Sequence, residues 1–399
     1  MNNFFGKQIF ERQKAVVIDF GSSFIKCGFA GEGIPQAFLP TNLIDLQTGE
    51  QLEITSKNNT SQKKIQIWKR TLFKRFYSIF FEILNVNPKN RRVVFCENIL
   101  LPNFIKETII EILFEKFHVV SLLSVPSPVL TLVPFKKHVG LVIDLGHLES
   151  TVVPVYQEIP LYSKIEYCSL GFDSVVKNLR SVVLNELKET NKEVYPIAEK
   201  LPEKIWNEIA VKTCFVLERN AIILKKENKE KKKKEFIADI NYPCLDKEGN
   251  DTSITISGKA RSNAAEILFN GDSQNDFEGI PFRILECLMS CNSDITVALS
   301  QNLILTGGTS MVPGCRLRLE NELNWLLEND PHFTKLKGLQ GKLIFQNHPF
   351  FNNYLSWIGG SVFGYLEIMN EKFVSLQTFT EMGLKSIPNW SHFKIEEEN

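Results

Sequence analysis

Twice in this chain an apolar run ends in Ile-Asp, skips one residue, meets a glycine and turns into a second apolar strand. The two copies are VVIDFGSSFIKCGFAG (16–31) and GLVIDLGHLESTVVPVY (140–156), and their aspartates, Asp19 and Asp144, lie 125 residues apart. A short β-branched run closed by a turn signal reads as a buried strand. AVVIDF (15–20) and FIKCGFA (24–30) therefore predict a hairpin with Gly21-Ser22-Ser23 at its tip. One Asp-x-Gly turn is common in proteins. Its recurrence inside the same apolar frame predicts an internal duplication, with two α/β halves that each open on a hairpin.

The length of 399 residues suits two or more domains, and a chain of this size needs no disulfide or metal to hold its core. Formal net charge is zero, which argues against nucleic acid or an anionic membrane as the main partner, since both reward a strongly basic face. The eight cysteines contain no C-x-x-C pair, and Cys287 and Cys291 fall on one face of a helix if that stretch is helical. This pattern reads as buried thiols in a reducing compartment. The segment MNNFFGKQIFERQK lacks the apolar core of a signal peptide, and no run reaches the roughly 18 apolar residues of a membrane span. The expectation is a soluble, intracellular protein.

Between and after the two hairpins, ETIIEILFEKF (107–117) has helical spacing, RRVVFCENIL (91–100) reads as a strand, and 172–190 and 200–218 read as helices. Pro126, Pro128 and Pro134 interrupt any long helix over 120–135. The run KKENKEKKKKE (225–235) reads as a solvated loop. ISGKARSNAAEILF (256–269) and IPFRILECLMSC (280–291) lead to QNLILTGGTSMVPG (301–314), a strand that enters a Gly-rich turn, and the amphipathic helix 317–328 follows it. YLSWIGGSVFGYLEIM (354–369) predicts an apolar helix whose glycines allow a neighbour's backbone to come close.

These turns suit a nucleotide. Tight Gly-containing turns offer backbone N–H groups to phosphate. Gly21, Ser22 and Ser23 supply them together with two hydroxyls, and Lys26 follows as a point charge. Asp19 and Asp144 would repel phosphate directly, but through water they can hold Mg²⁺. Gly146 repeats the turn in the second copy, and Gly307, Gly308 and Thr309 lead to Met311, a soft apolar contact for an adenine. Any of these elements taken singly is more often an ordinary turn. Their conjunction in this order points to a Mg-nucleotide clamp.

In order along the chain, VVIDFGSSFIKCGFAG, VIDLGHLESTVVPVY, LILTGGTSMVPG and YLSWIGGSVFG resemble the first phosphate loop, the second phosphate loop, the adenosine turn and the closing helix of actin and actin-related proteins. The resemblance covers nearly the whole chain. It implies the actin fold: α/β, with duplicated ribonuclease-H-type domains around a deep nucleotide cleft, in four subdomains of which the second is shortened here. The implied division places 1–40, 66–134 and 350–399 in the first large subdomain and 41–65 in the shortened small one. It places 135–170 and 275–349 in the second large subdomain, and 171–274 in an inserted helical subdomain with the Lys-rich loop.

The departures from the family pattern bear on activity. Actin-family ATPases position the attacking water with a glutamine, and in SVPSPVLTL Ser127 stands in its place. Thr151 stands where the family keeps a second water-positioning residue, a histidine, and His147 and Leu148 replace an acid and a glycine. Ser23 replaces a glycine, Ala210 and Val211 replace a Lys-Glu pair near the nucleoside, and Asn353 stands where a lysine usually flanks the adenine. The resemblance thus implies ATP or ADP with Mg²⁺ held as a structural ligand with little or no hydrolysis, and no catalytic residue.

The stretch from Pro40 to Pro88 is shorter than its actin counterpart, and the loop that grips the next subunit is not recognisable in it. A protomer of this kind binds a filament through its barbed-end face and offers nothing further at its pointed end, which is a cap. NPKNRRVVFCENILLPNFIKETIIEILFEKF (87–117), VPSPVLTL, KTCFV (212–216) and SIPNW (386–390) most resemble the branch of the family at the pointed end of dynactin, the dynein cofactor. The partners this implies are dynactin's actin-related filament, other pointed-end subunits and, indirectly, dynein, in the cytoplasm and cytoskeleton. Two other readings are a subunit of a nuclear chromatin complex and a phosphotransferase such as a sugar kinase. The second would need a catalytic acid that DLGHLEST does not offer at the expected place.

Overall fold

The computed structural model describes residues 13–41, 43–49, 51–52, 62–219, 237–245, 251–271 and 278–390. The Lys-rich run 225–235 and much of 41–65 lie outside the described residues. The chain divides into two compact units: 1–140, 155–162 and 347–399 form the first, and 141–154 and 163–346 form the second.

In chain order the strands are β1 (Val16–Phe20), β2 (Phe24–Phe29), β3 (Ala37–Pro40), β4 (Leu43–Ile44), β5 (Gln51–Leu52), β6 (Arg92–Glu97) and β7 (Ser121–Pro126). They continue with β8 (Gly140–Leu145), β9 (Ser150–Tyr156), β10 (Ile159–Pro160), β11 (Glu166–Cys168), β12 (Ile240–Leu245), β13 (Asp251–Ile256), β14 (Leu303–Thr306) and β15 (Val374–Ser375). The sheet of the first unit runs β15-β7-β6-β1-β2-β3, and that of the second is built on β9-β8-β14 with β11 paired to β9.

The two sheets repeat one plan. In the first unit the Asp strand β1 lies between its antiparallel hairpin partner β2 and the parallel strand β6. In the second, β8 lies between β9 and the parallel strand β14. A strand flanked in this way is buried on both faces, which is why all five residues of β1 are apolar or sealed: VVIDF is buried throughout.

Helices cover each sheet. In the first unit the helix Gln62–Tyr77 drives Trp68, Leu72 and Phe76 into a core shared with Ile18, Phe20, Phe95 and Phe114. The helix expected over 107–117 begins earlier, at Asn103 after Pro102, and its last turn widens over Ile112–Lys116, where Phe117 N–H reaches back to Ile112 O at 3.1 Å. The wide turn keeps Leu113, Phe114 and Phe117 all facing the core. The three prolines of 120–135 act as punctuation: β7 ends at Pro126 and a short helix starts at Ser127 with Pro128 in its first turn, where a missing N–H costs nothing.

In the second unit, Phe172–Thr190 is helical as the spacing predicts. The helix expected over 200–218 is confined to Glu203–Thr213, because the chain beyond it extends so that Val216 N–H can bond Pro313 O at 2.8 Å.

The apolar helix Leu355–Tyr365 is fastened to β1 and its surroundings. Trp357 Nε1 donates to Val17 O at 3.2 Å, and Ser361 Oγ donates to Glu32 O at 2.8 Å while accepting from Gly31 N at 3.0 Å. Gly359 is required by close approach, since a Cβ there would sit 1.9 Å from Leu130 O. The W-I-G-G-S motif is therefore a packing device that holds the first hairpin in place.

Candidate functional site

The first candidate loop is the β1–β2 turn. Gly21 N–H closes it on Phe24 O at 3.1 Å, which leaves the N–H groups of Ser22 and Ser23 outside both the turn bond and the strand ladder. Thr41 braces the turn from outside, with its Oγ1 donating to Gly21 O at 2.8 Å and its N–H to Ser23 O at 2.9 Å. The antiparallel register sets Asp19 opposite Lys26, and the two form an ion pair at 2.8 Å. Ser356 Oγ donates to the same oxygen, Asp19 Oδ2, at 2.8 Å. Asp19 is 4 % exposed, so this is a sheltered carboxylate with two partners fixed on one of its oxygens. Lys26, expected to reach phosphate, is turned onto Asp19 here and neutralises it.

The second loop repeats the turn atom for atom. Gly146 N–H closes on Glu149 O at 3.0 Å, three residues on, as Gly21 closes on Phe24. At both glycines a Cβ would collide with that carbonyl, at 2.9 Å for Gly21 and 2.6 Å for Gly146. The loop is then pinned from two sides. The start of the helix Phe172–Thr190 donates Phe172 N–H to Gly146 O at 3.2 Å and Asp173 N–H to His147 O at 2.9 Å. Thr309 Oγ1 donates to Gly146 O at 2.5 Å. Thr309, proposed from sequence as a nucleotide contact, is fully buried, and its hydroxyl serves as this stitch.

Parallel pairing places Asp144 beside Thr306, so the Asp-x-Gly turn and the Gly-Gly turn emerge from neighbouring strand ends of the second unit. Crevices outside such strand ends are where open α/β sheets bind ligands. Gly307 adopts φ +90°, and a Cβ there would lie 2.2 Å from Leu145 O and 2.4 Å from Asp144 Oδ1. At Gly308, by contrast, a Cβ would meet nothing within 4 Å. Met311 is 44 % exposed beyond the turn, and Val211, on the helix Glu203–Thr213, is exposed while Ala210 is buried.

The electrostatics of the second loop favour a cation. Burial, with Asp144 nearby, pushes the Glu149 carboxyl up. Burial pushes His147 below the usual histidine range, so its ring is neutral near pH 7. The neighbouring Asp144 and Glu149 carboxyls repel a bare phosphate and suit a phosphate that carries a divalent cation. Among the described residues no cluster of three or more His, Cys, Asp or Glu forms a metal cage. A cation at these loops would be held by phosphate and water oxygens with one or two carboxylates, which is the habit of Mg²⁺. Taken each by itself, the second loop with Asp144 and the first with Asp19 offer the kind of donors that suit a Mg-nucleotide. Sequence reading missed Ser356, Thr41, Glu149 and the helix start after Gly171, although the glycine before a helical run was a usable signal.

Ser127, which the sequence resemblance aligns with a water-positioning glutamine, opens the helix Ser127–Leu132, and its Oγ is buried with no hydrogen-bond partner among the described residues. Thr151 is buried within β9.

The fold, the paired Asp-x-Gly turns and the Gly-Gly turn define an actin-type α/β protein. The actin family model matches residues 10–390, and the chain belongs to the actin family. It is 30 % identical to actin-related protein 10 of Dictyostelium discoideum over 88 % of this chain and 82 % of that protein. It is 27 % identical to putative actin-29 of the same organism, over 94 % and 96 %. Identity to actin-like protein 7A of Rattus norvegicus is 24 %, over 94 % and 82 %. The chain is thus an actin-related protein with the actin fold, and members of this family bind nucleotide with a divalent cation. Among the described residues no helix is long and apolar enough to cross a membrane, and all eight cysteines are free.

Proposed function

We propose that this chain is a structural subunit that caps the pointed end of dynactin's actin-related filament and carries other pointed-end subunits, in dynein-driven transport on microtubules. It holds ATP or ADP with Mg²⁺ as part of its structure and turns it over slowly or not at all. The observation that supports the nucleotide reading is that both glycine turns close in the same way, Gly21 on Phe24 and Gly146 on Glu149, while the family resemblance aligns Ser127 and Thr151 with the water-positioning side chains. The pointed-end reading rests on the stretches 87–117, 125–132, 212–216 and 386–390, on the short segment after Pro40, and on the similarity to a protein named as actin-related. Cytoplasmic and cytoskeletal residence follows from that reading.

In this account the nucleotide is a stabilising ligand. A ligand at a hundred times its dissociation constant adds about 2.7 kcal/mol to the folded state. Purified protein is expected to release ATP or ADP on heating, and chelation of Mg²⁺ is expected to lower the melting temperature by several degrees. Fully folded protein that yields no nucleotide and ignores the chelator contradicts the reading.

Slow turnover is ascribed to Ser127, which is too short to hold the attacking water. Ser127→Gln is expected to raise single-turnover phosphate release about tenfold, the worth of ~1.4 kcal/mol at the transition state. Wild-type protein that hydrolyses ATP rapidly before any substitution rules this explanation out.

A further inference from the structure

We propose that Ser356 is a positioning residue for the Mg-nucleotide: its hydroxyl decides which oxygen of Asp19 is left to the cation. This role rests on the nucleotide reading and deepens it at one carboxylate. Asp19 Oδ2 receives two donors, Lys26 Nζ at 2.8 Å and Ser356 Oγ at 2.8 Å. Asp19 Oδ1 receives no hydrogen bond among the described residues, although Asp19 is only 4 % exposed. With Oδ2 engaged by two protein donors, Oδ1 is the oxygen with capacity for a water in the shell of a divalent cation.

Of the two donors, Ser356 is the one that can set the orientation. The terminal torsion of an aspartate is broad and roughly two-fold, so it does not by itself favour either oxygen. Lys26 carries a point charge on a flexible stem, and its ammonium can follow either oxygen. Ser356 places its oxygen through a single torsion, from a helix that is held against the sheet. It is the second residue of the helix Leu355–Tyr365, and the next residue, Trp357, is fully buried with its Nε1 donating to Val17 O at 3.2 Å. About one turn on, Gly359 and Gly360 seat the helix so closely that a Cβ would lie 1.9 Å from Leu130 O and 2.8 Å from Cys96 Sγ. Cys96, which pairs with Asp19 across β1 and β6, donates its Sγ to Ser356 O at 3.7 Å. The hydroxyl therefore meets Asp19 from a fixed point. Lys26 neutralises the carboxylate and Ser356 orients it.

Melting temperature followed against magnesium chloride concentration at saturating ATP, on the full chain, tests this role. Ser356→Ala is expected to raise the Mg²⁺ concentration that gives half of the stabilisation about tenfold, the lower end of what loss of a hydrogen-bonding partner to a ligating group costs metal affinity. Ser356→Thr keeps the hydroxyl and should return most of that affinity. Ser361→Ala separates orientation from folding. Its hydroxyl also sits on this helix, but it donates to Glu32 O at 2.8 Å rather than to Asp19. Ser361→Ala should lower the melting temperature in chelator while its Mg²⁺ midpoint stays at the wild-type value. A Ser356→Ala midpoint equal to that of wild type, a Ser361→Ala midpoint shifted as far as that of Ser356→Ala, or a Ser356→Thr variant no better than Ser356→Ala each overturns the role while the nucleotide reading stands. Wild-type protein whose melting temperature ignores Mg-ATP overturns the nucleotide reading, and the role with it.

Discussion

Gly307→Ala is expected to destabilise the protein by about 3 kcal/mol or more, through left-handed strain added to overpacking against backbone. For a unit of this size that corresponds to a fall of about 10 °C in melting temperature. The cause is local. At φ +90° the new methyl would meet Leu145 O at 2.2 Å and Asp144 Oδ1 at 2.4 Å; the carboxylate can rotate away, but the Leu145 carbonyl is backbone at the end of β8 and can retreat only if that strand end moves. Gly308→Ala, one residue on, is the control. Its φ of −65° is ordinary, and its methyl would enter open space, so the fold should tolerate it. If the nucleoside lies against this turn, the same methyl should reduce nucleotide retention about tenfold, ~1.4 kcal/mol, while the nucleotide-free melting temperature stays unchanged. Equal effects of the two substitutions on folding would remove the steric account of the Gly-Gly turn. Unchanged retention in Gly308→Ala would remove the turn from the nucleotide site.

The second large effect is expected at Asp19. Truncating one member of a sheltered ion pair leaves the other charge without its partner, which typically costs about 3 kcal/mol. Asp19→Ala strands Lys26, whose side chain is only 16 % exposed, and also removes the acceptor of Ser356 Oγ. Pairing Asp19→Ala with Lys26→Met removes the stranded charge, so the double variant should recover at least half of the lost stability in urea unfolding. Both variants should still lose bound nucleotide, because the carboxylate is assigned to the cation. If Asp19→Ala unfolds at the wild-type urea concentration and keeps its nucleotide, Asp19 is only a turn residue.

Much of this arrangement was legible in the sequence. The two hairpins announce themselves because Asp-x-Gly is a local device: the glycine is needed by the carbonyl three residues on, and both copies show it. The Asp19–Lys26 pair was not legible: a tip of Gly21-Ser22-Ser23 alone would set Asp19 opposite Ile25, and it is the fourth turn residue, Phe24, that brings Lys26 opposite Asp19. The helix Phe172–Thr190 was legible through its apolar spacing. What was hidden depends on residues far apart in the chain. Ser356 reaches Asp19 across 337 positions and Thr309 reaches Gly146 across 163, and nothing local to Ser356 or Thr309 signals those bonds. The true end of the helix begun at Glu203 was hidden for the same reason, since it is set by a bond to Pro313. The wide turn at Ile112–Lys116 preserves the inward face that the periodicity promised while shifting the backbone, and a pattern of apolar positions cannot register that change.

The Asp-x-Gly pair also separates two properties that usually travel together. Holding a phosphate chain needs backbone donors, close-packed glycines and a sheltered carboxylate, all of which are built into strand ends. Hydrolysing it needs a side chain that positions water, and that requirement rests on one or two residues at the surface of the site. Loss of the second leaves the first intact, because the glycines are held in place by packing as well as by any ligand. This is the physical reason for expecting a retained, slowly turned-over nucleotide.

The most direct measurement is to tag the chain at its native abundance, isolate the assembly that contains it and count its copies by quantitative mass spectrometry. The account predicts a single copy per particle, together with the subunits of dynactin's actin-related filament and its pointed-end components, with the tag at one filament end in electron micrographs. Recovery with chromatin-remodelling subunits, or as many copies along a filament, would contradict it.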